Sequence, residues 1–203
     1  DRAKATQLAK EKESGGSDLL FVGRIVPNKA QHDLVRAFYM YRKLYDPSAR
    51  LHLVGRSEWS TYDQAVNQLI HELDLEKAVR LPGQVSQGAL AAYYEAADVF
   101  VSASDHEGFC VPLLEAMHHR VPVVAYGAAA IPETVGSAGV VIDSKSPLTM
   151  AAAIHRVAGD PNLSERLANA GDKRLSDFAL HKTKARMTDA LRRLLDNPEV
   201  APT

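Results

Sequence analysis

A chain of 203 residues, 46% hydrophobic and 24% charged, is long and apolar enough to bury a core without disulfide or metal staples. Its formal charge of −1, with acids and bases interspersed, argues against the one-sided basic surface that nucleic acid or anionic lipid requires. The single cysteine, Cys110, rules out an internal disulfide, and no apolar run suits a membrane span or a signal sequence, so a reducing, cytoplasmic setting is expected.

Residue 1 is Asp, so residues upstream of it are expected in the natural protein. The stretch 1–17 is polar, ends in Gly-Gly-Ser and reads as a linker or frayed helix. From Asp18 the chain alternates short apolar runs with longer amphipathic ones, the pattern of parallel strands joined by crossover helices. Six strands are predicted, at 18–25, 49–54, 78–83, 98–104, 121–126 and 139–143. Most are near-continuous in Val, Leu, Ile and Phe, as strands covered on both faces should be. Between the first two, Leu34, Phe38, Tyr41 and Tyr45 recur at helical spacing and predict one buried stripe. Ser60 or Thr61 is expected to cap the next helix, and Ser86 the one after. Beyond Asp143 only helices are predicted, with Pro147 and Pro161 near two starts and an amphipathic helix over about 182–195, leaving 196–203 as a tail.

Right-handed crossovers leave few topologies for six such strands, the commonest nucleotide-binding order being 3-2-1-4-5-6. The fold class expected is therefore α/β, a single Rossmann-like doubly wound parallel sheet over 18–195 with a helical carboxyl-terminal extension. In that order the first and fourth strands are neighbours, and ligands bind in the crevice at their carboxyl ends. GRIVPNK follows the first strand and carries Arg24 and Lys29; DHEGFCVPLLE follows the fourth and carries Glu107 and Glu115. Pro112 suits a first helical position, with Glu115 expected in the first turn. A helix start of this kind favours an anion, Gly108 allows close backbone approach, and the forked Arg24 with the compact Lys29 suits a diphosphate.

Other chemistries fit less well. A glycoside hydrolase also pairs carboxylates, about 5 to 10 Å apart, but has no use for Arg24 and Lys29. The Gly-x-Gly-x-x-Gly of nicotinamide-binding domains is missing after the first strand. Cys110 has no assigned base and is better explained as a small packing residue than as a nucleophile. His118 and His119 are adjacent in a helix, so their side chains diverge by about 100° and cannot share one metal. His106, Glu133, Trp59 and Tyr62 are secondary candidates near the crevice.

The ordered set GRIVPNKAQHDLVRAF, LVG, LPGQVS, ADVFVSASDHEGFCVPLLEAM, VPVVAY and IPETVGSAGVVID resembles the carboxyl-terminal, donor-binding domain of retaining family-4 glycosyltransferases of the GT-B fold. The family hallmark, two glutamates separated by seven residues, is matched by Glu107 and Glu115. The resemblance implies transfer of a hexose-type sugar from a nucleoside diphosphate sugar with retention of configuration. Arg24 and Lys29 would hold the diphosphate, Glu107 the sugar and Glu115 the ribose. Gly108, Phe109, Cys110 and Val111 would line the sugar and phosphate, and Gln84 and Val85 would face the base. It implies no metal or other cofactor. It also implies a missing amino-terminal acceptor-binding domain, through which alone any membrane contact would come, and a fragment inactive without it. A stand-alone nucleotide-sugar-binding module is the alternative. Two departures stand out: Ala30 replaces the glycine that commonly follows the lysine, and the last helix lacks a common tryptophan.

Overall fold

The computed structural model describes residues 2–13, 15–57 and 61–196. Six strands, β1 (Asp18–Val22), β2 (Arg50–Val54), β3 (Val79–Gly83), β4 (Val99–Ser102), β5 (Val123–Tyr126) and β6 (Gly139–Ile142), form one sheet in the order β3-β2-β1-β4-β5-β6. Every pairing in it is parallel. Crossovers are made by α2 (Gln31–Leu44), α3 (Thr61–Glu72), α4 (Gln87–Ala96), α5 (Val111–His118) and α6 (Ile131–Val135), with α1 (Arg2–Glu13) before the sheet. Three helices follow it, α7 (Pro147–Ala158), α8 (Pro161–Asp177) and α9 (Leu180–Asp196). Among the described residues no helix is long and apolar enough to cross a membrane.

The apolar strands split by parity, because successive side chains point to opposite faces. Leu19, Phe21, Val99 and Val101 pack with α2, α3 and α7, while Leu20, Phe100, Val123 and Ala125 pack with α1, α4 and α5. Each fully buried Leu or Phe contributes about 1.5–3 kcal/mol. Covering both faces is what requires the continuous apolar runs seen in the sequence. At the carboxyl ends of β1 to β3 the backbone closes tightly. The Gly23 amide donates to Val54 and the Gly55 amide to Gly83, at 2.9 and 3.0 Å. A side chain on Gly55, whose φ is +148°, would meet the Gly23 carbonyl oxygen at 2.0 Å.

Local signals held where they were local. Ser86 caps α4, its hydroxyl accepting from the Ala89 amide, and Pro147 and Pro161 open α7 and α8. Leu34, Phe38 and Tyr41 form the buried stripe of α2, but Tyr45 does not join it. The helix ends at Leu44, so the helical period stops one residue short; Tyr45 is exposed and stacks on His155 with ring centroids 4.1 Å apart. Ser60 and Trp59, and 197–203 of the expected tail, lie outside the described residues.

The polar segment expected to be a linker or frayed helix is a helix docked on the body. Leu8 of α1 is buried against the sheet, Lys12 pairs with Asp98 at 2.9 Å and Arg80 with Glu11 at 3.1 Å. Beneath it, Arg50 forks onto both oxygens of the buried Asp18 at 2.7 and 2.9 Å, and His52 Nε2 lies 2.9 Å from Oδ1. Burial alone would raise the Asp18 pKa, but the Arg50 and His52 hydrogen bonds and charges outweigh it and hold the carboxyl at about 2.

Candidate functional site

In an all-parallel sheet every strand delivers its loop to the same edge, so the segments after β1, β3, β4, β5 and β6 converge there. The β1 and β4 loops are joined across the crevice: the Asp105 amide donates to the Asn28 carbonyl at 2.9 Å. The Ala130 amide, after β5, donates to the Glu107 carbonyl at 3.1 Å. After β6, Lys145 reaches Asp33 at 3.3 Å and also Asp105, with its ammonium 5.0 Å from the Tyr126 ring centre.

Lys29 closes a 3-10 turn, Pro27–Lys29, which hands over to α2 through Ala30 at φ 51° and ψ 43°. That left-handed conformation favours glycine and costs an L residue about 1–2 kcal/mol. The sequence departure at Ala30 thus leaves the turn intact at the cost of local strain. Gln31, fully buried, donates its Nε2 to the Arg24 carbonyl at 2.8 Å and so pins the loop that carries Arg24. Arg24 itself is exposed.

Lys29 Nζ and Glu107 Oε1 are 2.5 Å apart, with side chains only 19% and 10% exposed. The two residues predicted from opposite loops are therefore in direct contact. Cys110 lies beside them as the N-cap of α5, also left-handed at φ 65°. Burial, and then the Glu107 charge, push its thiol up to about 12, so it stays protonated and is no nucleophile at neutral pH. Val111 is the first helical residue and Pro112 the second, so Glu115 falls beyond the first turn, not within it as expected. A side chain on Gly108 would meet nothing within 4 Å, so that backbone faces open space. Phe109 is 41% exposed and meets Phe178 edge-on at 5.2 Å. Arg174 backs this contact, its guanidinium 4.7 Å from the Phe178 ring and bonded to the carbonyls of Glu133 and Thr134.

Glu115 stands apart from the ion pair. Its Oε2 accepts from the Tyr94 hydroxyl at 2.8 Å, and it lines a groove of about 380 Å³ with Gln87, Leu90, His118 and His119. Val85, two residues before Gln87, packs partly buried against the second core, and Gln84 is exposed beside it. Gln84 also borders a cavity of about 760 Å³ with Ile25, Gly55 and Arg56. His106 is exposed on the β4 loop, and Tyr62 sits in α3, its hydroxyl 2.9 Å from His32 Nδ1. Among the described residues no group of three or more His, Cys, Asp or Glu is placed to hold a metal ion. Sequence reasoning missed Gln31, Tyr94 and Lys145. Gln31 lies in a segment that carries the resemblance but without an assigned role, Tyr94 and Lys145 lie in none, and only their partners in space mark all three.

The sequence and the fold have known relatives. Residues 4–174 match the family model described as "Glycosyl transferases group 1". A D-inositol 3-phosphate glycosyltransferase from Thermomonospora curvata is 36% identical over 162 residues, 74% of this chain and 36% of that protein. Among solved structures, the carboxyl-terminal domain of the glycosyl transferase group 1 family protein LpcC from Francisella tularensis superposes with a TM-score of 0.72 at 25% identity, covering 84% of this chain and 90% of that one. Anabaena HepE in complex with UDP and glucose shares the fold, with a TM-score of 0.81 at 23% identity over 96% of this chain and 53% of that one. The chain spans less than half the length of the curated relatives it matches. With the match covering most of its residues, the chain belongs to the group 1 glycosyl transferase family and has the single Rossmann-like sheet of a GT-B domain.

Proposed function

We propose that this chain is the donor-binding domain of a retaining glycosyltransferase that moves a hexose-type sugar from a nucleoside diphosphate sugar to an acceptor. The observation that carries this reading is the Lys29–Glu107 ion pair at the β1/β4 switch point, with Arg24 in the same loop and the start of α5 beside it. Two cations, a helix start and a buried carboxylate are the groups a sugar diphosphate needs within one crevice. Family membership, and the UDP and glucose named in the HepE complex, support the same ligand class.

As the bond from the anomeric carbon to the diphosphate breaks, its electrons go to the leaving phosphate oxygen. Arg24 and Lys29 stabilise the charge that builds there. Those cations and the helix start supply the positive charge, so the reaction runs without a metal. When Lys29 turns to the diphosphate, Glu107 is released to accept hydrogen bonds from sugar hydroxyls. Glu115 takes the ribose hydroxyls and the loop at Gln84 and Val85 the base. The acceptor binds to an amino-terminal domain of the longer protein, without which transfer by this domain is negligible.

Titration calorimetry with UDP and GDP, with and without a chelator, tests donor binding; no heat from either nucleotide ends this reading. Retention is tested on the full-length protein by the anomeric configuration of its product. A full-length protein that binds the donor sugar but transfers none of it is instead a binding module.

A further inference from the structure

We propose that Tyr94 is a positioning residue that holds the Glu115 carboxylate in place for the ribose hydroxyls of the donor, an assignment that rests on the donor-binding reading above. Tyr94 is buried in α4, and its hydroxyl donates to Glu115 Oε2 at 2.8 Å, with the Pro112 carbonyl a weaker second acceptor at 3.4 Å. The phenol ring stacks on Phe100 and on His119, at 22° and 5° to their planes with centroids 6.2 and 5.1 Å away. With the side chain 1% exposed in the close-packed interior, the ring is held in one rotamer and the hydroxyl stays where it is.

Glu115 needs such a point. It is half-buried in the wall of the groove, and among the described residues no cation pairs with it and no protein donor reaches Oε1. A glutamate held by nothing samples several rotamers and loses that freedom when a ligand binds. Anchoring one oxygen removes the cost in advance and leaves the other for a ligand hydroxyl. Burial, then the hydrogen bond to Glu115 and its charge, push the Tyr94 phenol far above its usual range, so it remains a donor at every working pH. Gln87 lines the groove with Glu115 and lies two residues after Val85, so the loop assigned to the base leads into the element that borders the carboxylate.

The experiment compares whichever of UDP or GDP the wild-type chain binds with its 2′,3′-dideoxy counterpart, which lacks both hydroxyls. By calorimetry, Tyr94→Phe is expected to weaken the ribonucleotide about tenfold, the worth of one hydrogen bond to a charged group, and to leave the dideoxy ligand within about twofold. Equal weakening of both ligands means a merely structural role and overturns the assignment, as does no change in either. A readout on the unmutated chain covers the case in which Tyr94→Phe does not fold. The Tyr94 hydroxyl proton, assigned through its contacts to Phe100 and His119, should shift in NMR spectra on adding the ribonucleotide and stay put with the dideoxy form. The same shift with both overturns the proposal. If the wild-type chain binds neither nucleotide, the donor-binding reading has failed and the positioning role falls with it.

Discussion

Replacing Glu107 with Gln should make the bare nucleoside diphosphate bind more tightly and the sugar nucleotide more weakly. In the free chain the Lys29–Glu107 pair is separated by 2.5 Å, and at an effective dielectric near 20 its gross attraction is about 7 kcal/mol. A diphosphate that captures Lys29 returns most of that attraction, since it too is an anion. It does not return the loss at Glu107, which is only 8% exposed and is left without its cation. An uncompensated buried acceptor costs about 1–3 kcal/mol, and more when charged. Sugar hydroxyls repay that cost; a bare diphosphate does not. The amide introduced by Glu107→Gln carries no charge to strand, so the affinity for the bare nucleotide is expected to rise about tenfold, equivalent to ~1.4 kcal/mol. The sugar nucleotide loses the hydroxyl contacts to a carboxylate and should weaken by a similar factor. Paired titrations of Glu107→Gln and wild type with UDP and a UDP-sugar, or their guanosine counterparts, measure both effects. A uniform loss for the two ligands would refute the exchange of partners at Lys29.

Three further outcomes are expected. Because the Asp18 carboxyl is held at about 2 against an ordinary 3.8, it adds about 2 kcal/mol of stability above pH 4, lost as pH falls from about 4 through 2. Acid unfolding followed by circular dichroism should therefore lose that part of its pH dependence in Asp18→Asn, and an unchanged acid limb would contradict it. Gly55→Ala places a methyl 2.0 Å from the Gly23 carbonyl oxygen at φ +148°, so urea unfolding should show a loss of at least about 3 kcal/mol, or no folded protein. Cys110, its thiol raised to about 12, should react with a disulfide reagent at pH 8 about a thousandfold more slowly than an exposed cysteine; a comparable rate would show an ionised thiol.

Much of this protein is written in local patterns. Continuous apolar runs implied strands buried on both faces, and the right-handed crossover left few orders, the commonest of which is the one found and brings the loops after β1 and β4 to one edge. Ser86 was legible as a cap because capping involves residues only three apart. The departure at Ala30 was visible too, although only its φ of 51° explains why glycine suits that place. Tyr45 misled because its spacing continued a helix that had already ended.

The sequence by itself determined which residues meet at the carboxyl edge of the sheet, since strand polarity and crossover handedness are properties of the chain's order. Only the tertiary structure decided which side chains touch: Lys29 with Glu107, Tyr94 with Glu115, Gln31 with the Arg24 carbonyl, and α1 with the sheet through Leu8. Those choices depend on ångström-scale distances between elements far apart in sequence, set by how the helices pack on a twisted sheet, and no periodicity or motif records them.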